Sequence, residues 1–135
     1  MINEPIRSYY DNGKISREIY LKNGKYYRED GSAVIDYYKE SGNIYYEAYY
    51  IDDKLHREDG PAWIGYYENG NIAREIHYIN NKRHRENKPA WIDYYENGKV
   101  KSEIYFIDTQ EHREDGPAYI DYDKYGCIIN KQYYM

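Results

Sequence analysis

The chain has 135 residues, a formal net charge of −5 and 22 tyrosines, with only two Leu and two Val beside its isoleucines. That inventory excludes a thick Leu-rich core, and the single cysteine, Cys127, excludes an internal disulfide framework. No apolar run approaches the ~18 residues of a spanning helix, and the mild acidity disfavours phosphate binding through clustered Lys and Arg.

The mean hydropathy of −1.14 would by itself suggest disorder. The tyrosines argue otherwise, because aromatic side chains favour strands. A thin sheet lined by Tyr and Ile fits the composition. The N-terminal MINEPIRSYY lacks the charged-then-apolar pattern of a signal peptide, so a cytoplasmic protein is expected.

Taken in order, the chain repeats itself. A partial unit, 1–26, contains IRSYYDNGKISREIYLKNGK from Ile6. Fuller units follow at 27–55, 56–83, 84–111 and 112–135, each opened by YRED, HRED or HREN. His56, His84 and His112 are 28 residues apart; Tyr9, Tyr37, Tyr66, Tyr94 and Tyr122 step by 28, 29, 28 and 28. The extra residue lies between Tyr38 and Gly42, where an insertion marks a turn. A fixed period in this range indicates units that bury their apolar faces against one another. The reading is one repeat domain over 1–135.

Within a unit, Ala62 to Glu68 alternates as a strand. Asn69-Gly70 suits the φ > 0 positions of a tight hairpin turn, as do Asn12-Gly13 and Asn97-Gly98. The second strand is expected over Ile72 to Ile79, ahead of a helix over the same residues. Asn80-Asn81-Lys82 reads as a second turn. The expected fold is all-β, an elongated antiparallel sheet of about five hairpins and ten strands. Ala62, Ile64 and Tyr66, with their equivalents, should face the core. Glu18, Glu47, Glu75 and Glu103 share one register of the second strand, where the last unit has Lys131. Arg7, Asp123 and Gln132 make the end units more polar, as capping units are. Tyr133-Tyr134 is a candidate exposed edge strand.

Three features are candidates for function. The histidines at His56, His84 and His112 are read as structural. Equivalent positions two strands apart are ~10 Å distant, too far to share one metal ion. Arg28, Arg57, Arg85 and Arg113 form either an ion-pair ladder with HRED carboxylates or contacts to an acidic ligand. Trp63, Trp91 and Tyr119, with Tyr38, Tyr67 and Tyr95 on the same face, either pack along the sheet or meet a partner, because Tyr and Trp concentrate binding energy at interfaces. No nucleophile, paired carboxylate or kinase element accompanies these motifs. No enzyme, metal or cofactor is expected.

The strings YYENGNIAREIHYINNK and YYENGKVKSEIYFIDTQ resemble MORN-type repeats, in the variant found in YwqK-family antitoxin proteins. The resemblance covers Tyr9 to Tyr134. It implies a twisted antiparallel array of hairpins and neutralisation of a protein partner, such as a nuclease toxin or a defence nuclease met by an anti-CRISPR-like inhibitor. The HREDGPA connection departs from the MORN pattern. The functional expectation is a non-enzymatic inhibitor binding through Trp63, Tyr67, Trp91, Tyr95, Tyr119, Tyr38, Arg57, Arg85 and Arg113, without direct nucleic-acid or membrane contact. The alternatives are a nucleotide-like small-molecule binder and a homodimer paired through open sheet edges.

Overall fold

The computed structural model describes residues 4–133, and among them there is strand and turn but no helix. The helical alternative for Ile72 to Ile79 is therefore excluded, and no helix is long and apolar enough to cross a membrane. Unit one holds β1 (Ile6–Tyr9), β2 (Ile15–Ile19), β3 (Leu21–Lys22) and β4 (Lys25–Tyr26). Unit two holds β5 (Val34–Tyr37), β6 (Ile44–Ala48), β7 (Tyr50–Ile51) and β8 (Lys54–Leu55). Unit three holds β9 (Trp63–Tyr66), β10 (Ile72–Ile76), β11 (Tyr78–Ile79) and β12 (Lys82–Arg83). Unit four holds β13 (Trp91–Tyr94), β14 (Val100–Ile104), β15 (Phe106–Ile107) and β16 (Gln110–Glu111). The last pair is β17 (Tyr119–Tyr122) and β18 (Ile128–Gln132).

The longer strands form one antiparallel ten-stranded sheet in the order β1-β2-β5-β6-β9-β10-β13-β14-β17-β18. This is the expected array of hairpins. The four short pairs form separate two-stranded ribbons, β3-β4, β7-β8, β11-β12 and β15-β16. The second strand thus ends three residues earlier than its pattern suggested, at Ile76, because the chain leaves the sheet at His77. The open edge at the C-terminal side is Ile128–Gln132, and Tyr133 follows outside the strand; Tyr134, also expected on that edge, lies outside the described residues.

The two turns of a unit use different chemistry. In the ribbons, both central residues are left-handed: φ is 48° and 69° at Asn80 and Asn81, and 54° and 77° at Asn23 and Gly24. That is the I′ geometry that matches strand twist. Asp and Asn are useful here for a second reason. The Asp53 carboxylate accepts the Tyr26 N–H at 2.7 Å, and the Asp53 N–H donates to the Tyr26 carbonyl at 3.0 Å, so each ribbon is clamped to the one before. The Asn-Gly turns differ from expectation. Gly70 alone is left-handed, at φ 94°. The Tyr67 N–H donates to the Asn71 carbonyl across Glu68-Asn69-Gly70, a three-residue loop. Asn69 keeps ordinary φ and uses its side-chain oxygen to accept the Asn71 N–H at 2.9 Å.

Cross-strand register puts two different sets of side chains on the two faces. On one face runs Arg7, Glu18, Ile35, Glu47, Ile64, Glu75, Ile92, Glu103, Ile120, Lys131, each opposite the next. Beside it lie Ala33, Ala62, Ala90 and Ala118, all fully buried. The Ala-Ile-Tyr face is buried as expected at its alanines, Ile64 and Ile120, but the opposite face also buries Val34, Ala48 and Ile76, so the core is shared by both faces. The carboxylates were not expected on the Ala-Ile-Tyr face. Each accepts a tyrosine hydroxyl from the following strand: Tyr37 to Glu18, Tyr66 to Glu47 at 2.7 Å, Tyr94 to Glu75, Tyr122 to Glu103 at 2.5 Å. Burial, aided by the carboxylate, pushes the Tyr122 hydroxyl pKa up to about 12. For Glu18, burial opposes the charge, but the Tyr37 and Arg7 bonds outweigh it and the pKa falls.

A second tyrosine ladder ties the units together. Tyr10, Tyr38, Tyr67 and Tyr95 donate to the carbonyls of Tyr37, Tyr66, Tyr94 and Tyr122, at 2.5 to 2.7 Å. In the fifth unit this position is Asp123, whose carboxylate instead accepts the N–H groups of Tyr125 and Cys127 in its own turn. The structure is thin. No large side chain among the described residues is under 2 % exposed, and the 8504 Å² of surface exceeds the about 7,500 Å² of a compact monomer of this mass.

Candidate functional site

The other face carries the tryptophans. One row runs Ile19, Val34, Ala48, Trp63, Ile76, Trp91, Ile104, Tyr119. Trp63, Trp91 and Tyr119 share it, as their spacing predicted, but apolar Ile76 and Ile104 stand between them. A neighbouring row pairs the units electrostatically. Arg17 meets Asp36 through two bonds of 2.6 and 3.0 Å, Arg74 meets Asp93 through two of 2.5 and 3.2 Å, and Ser102 donates to Asp121 at 2.9 Å. Bidentate Arg–carboxylate pairs fix geometry as well as charge.

At the junction of units two and three this pairing is replaced. Tyr46 occupies the arginine position and Gly65 the aspartate position, opposite each other. With no side chain at Gly65, the Trp63 ring lies across it; a Cβ there would stand 2.8 Å from the ring. Trp63 then stacks on Tyr46, with centroids 5.4 Å apart and planes 17° from parallel. Arg17 donates to the Tyr46 hydroxyl at 3.2 Å, and Arg74 covers Trp91 at 4.6 Å. An aromatic centre is thus flanked by two Arg–Asp pairs. Above it is a groove of about 350 Å³, with Tyr67 and Lys101 on its walls.

The remaining expected site residues are placed differently. Tyr38, Tyr67 and Tyr95 spend their hydroxyls on the inter-unit ladder described above, and of the three only Tyr67 lines the groove. Trp91 donates its indole N–H to Asp93 at 3.1 Å and is approached by Arg83 from ribbon β11-β12. Tyr119 is half-buried on the same row. Arg57, Arg85 and Arg113 lie on the opposite, isoleucine face and do not join the tryptophans.

Those arginines hold the HRED loops in shape. The Arg57 guanidinium stacks on Tyr49 at 4.1 Å, donates to the Pro61 carbonyl at 3.1 Å and pairs with Asp59 at 3.1 Å. Arg28 and Arg113 repeat the arrangement on Tyr20 and Tyr105. The guanidinium folds back over Gly60, where a Cβ would stand 2.9 Å from Cζ. That explains the glycine, whose φ is not positive. Two of the histidines brace turns as well. Nδ1 of His56 accepts the Asn80 N–H at 3.0 Å, and Nδ1 of His84 accepts that of Asp108 at 3.2 Å. Each therefore braces the strained first residue of the next ribbon turn, a role that period alone could not reveal.

His77 occupies the position held by Tyr20, Tyr49 and Tyr105 in other units, and its backbone N–H donates to Ala90. Burial, then the nearby Arg85 and Arg57 charges, push its pKa down to about 4. An unfolded histidine protonates near 6.5, so between about pH 6.5 and 4 the unfolded chain binds the extra proton. Stability from this group is complete above pH 6.5 and declines as pH falls towards 4. The pKa gap sets a ceiling of ~3 kcal/mol, and partial exposure screens it to about 1–2 kcal/mol. Between pH 7.5 and pH 4.5, wild type should lose that much more urea resistance than His77→Tyr. Equal losses in the two proteins would refute the assignment.

Three segments, residues 5–23, 62–80 and 90–108, match the family model described as MORN repeat variant. Comparison with curated proteins and with solved structures gives no match. The matched segments correspond to β1 to β3, β9 to β11 and β13 to β15 with their turns. The units at Ala33 and Ala118 continue the same sheet in the same register. Three matched segments within one uniform strand ladder therefore support this chain as a MORN-type repeat protein.

Proposed function

We propose that this chain is a non-enzymatic repeat module that binds a protein through its tryptophan face and inhibits that partner by covering its surface. The observation that carries the reading is the Tyr46–Gly65 junction. There a recurring charge pair gives way to a stacked Tyr–Trp pair beside an open groove, with Arg–Asp pairs on either side. A central aromatic cluster inside a charged rim is the usual anatomy of an interface centre. The net charge of −5 suits a basic partner, of which a nuclease toxin or a defence nuclease is the class favoured by the YwqK-like resemblance.

The test is capture from the source cell with wild type, Gly65→Asp and, on the opposite face, Glu114→Ala. Asp at this position is what units two, four and five carry, so the fold should tolerate it, while Trp63 must leave its place over Gly65. The expected result is one protein held with submicromolar affinity by wild type and Glu114→Ala, with binding about tenfold or more weaker for Gly65→Asp. The retained protein's activity should fall on saturation. Retention of no protein, or equal retention by all three chains, would remove the proposal.

A further inference from the structure

The third HRED-type loop breaks a rule that the other three obey. Arg28, Arg57 and Arg113 each pair with the aspartate two residues on, at 3.0, 3.1 and 3.2 Å. In the loop after His84 that aspartate is Asn87, and the following glycine is Lys88. A Cβ at the glycine position would collide with the folded arginine, as at Gly60, so this loop takes a different path: Asn87 alone among the equivalents is left-handed, at φ 61°. Arg85 keeps its bond to the Pro89 carbonyl at 3.1 Å, but among the described residues no carboxylate lies within ion-pair distance of it.

Arg85 opens onto a groove of about 460 Å³ between the second and third loops, shared with Arg57, His77 and His84. Three acids also stand at this groove. Asp59 is held by Arg57, while Glu58 and Glu86 lie 3.6 and 3.9 Å from the Nε2 atoms of His56 and His84 and point to solvent. His77 stands at the position of the tyrosines that arginines cover elsewhere, so an imidazole N–H donor replaces a phenol ring there. The corresponding groove between the first and second loops has the same Arg57 but an Arg28 already neutralised by Asp30.

We propose that the groove between Arg57 and Arg85 is a binding site for a small oxyanion, a carboxylate or a phosphate, with the Arg85 guanidinium as its principal donor. The fork of an arginine matches either anion bidentately, and the ligand's oxygens take the place of the missing aspartate. The site lies on the face opposite the tryptophans and does not depend on the protein-binding reading.

The test is a titration of the full chain with inorganic phosphate and with acetate at constant ionic strength. It is followed by NMR of the arginine Nε–H and histidine ring resonances, with chloride as the reference anion. Saturable millimolar shifts at Arg85 and His77, absent at Arg28 and Arg113, are expected; whichever anion produces them identifies the source chemistry. Asn87→Asp combined with Lys88→Gly rebuilds the Asp-Gly loop that already folds in three other units, and should weaken binding about tenfold or more. Lys88→Gly alone should change it by less than about threefold. The proposal is overturned if neither anion shifts Arg85, if all four arginines shift alike, if the rebuilt loop binds as well as wild type, or if Lys88→Gly alone abolishes binding.

Discussion

Replacing Arg57 by alanine should cost about 3 kcal/mol, a large loss for a side chain that the sequence places in a polar loop. Its worth comes from three contacts made at once. The bond to the Pro61 carbonyl is charge-assisted and contributes ~1.5–3 kcal/mol. The stack on Tyr49 adds roughly 0.5–2 kcal/mol, towards the upper part of that range because Arg57 is only 26 % exposed. The pair with Asp59 adds little, because that carboxylate is 89 % exposed. Removal also uncovers Gly60, over which the guanidinium folds. Neighbouring units stabilise each other only through their shared interfaces, so the loss falls on the junction of units two and three. A drop of roughly 10 °C in Tm is expected for a chain of this size. Arg85→Ala should cost about 1 kcal/mol less, since Arg85 has neither a tyrosine to cover nor an aspartate to hold. Thermal and urea unfolding of the two variants side by side checks both claims. An Arg57→Ala chain as stable as wild type would mean that the arginine ladder is not structural.

Tyr66→Phe should cost about 2 kcal/mol, because it removes the hydroxyl that satisfies Glu47 and leaves a charge facing Ile35 and Ile64 across the sheet. Removing the carboxylate as well should reverse most of the loss. The double variant Tyr66→Phe with Glu47→Leu extends the apolar row and should lie within about 1 kcal/mol of wild type, since replacing both partners avoids the unpaired group. A double-mutant cycle by urea denaturation reads the coupling directly. A coupling near zero would show that the hydroxyl and the carboxylate do not depend on each other.

Both predictions rest on side chains whose importance was hidden in the pattern. The glutamates were visible as a register, yet alternation alone could not say that they face the isoleucines. That follows from pairing, because Glu47 lies opposite Ile35 in its own hairpin and Ile64 in the next unit. Gly65 stands where units two, four and five carry Asp36, Asp93 and Asp121. Its meaning required knowing that position 46 is its cross-strand neighbour, and that a tyrosine stands there in place of the arginine of other units. Likewise, Asn87-Lys88 was legible as a variant turn, but not as the loss of a counter-ion for Arg85.

What the amino-acid sequence determined alone was the repeat, its length and its strand character. Period, alternation and turn residues are local properties, and local backbone preferences are enough to express them. It also marked several of the turns, though it did not distinguish the I′ ribbons from the three-residue loops. The Asn side chain that suits one geometry also stabilises the other. The tertiary structure decided which residues of different units meet. The tryptophans and the HRED arginines, which the sequence allowed as one binding set, were separated onto opposite faces. A strand sends neighbouring side chains to opposite sides, and the arginines sit in loops held by backbone bonds to the unit before and within their own unit, as from the His56 N–H to the Tyr49 carbonyl and from the Arg57 N–H to the Tyr78 carbonyl.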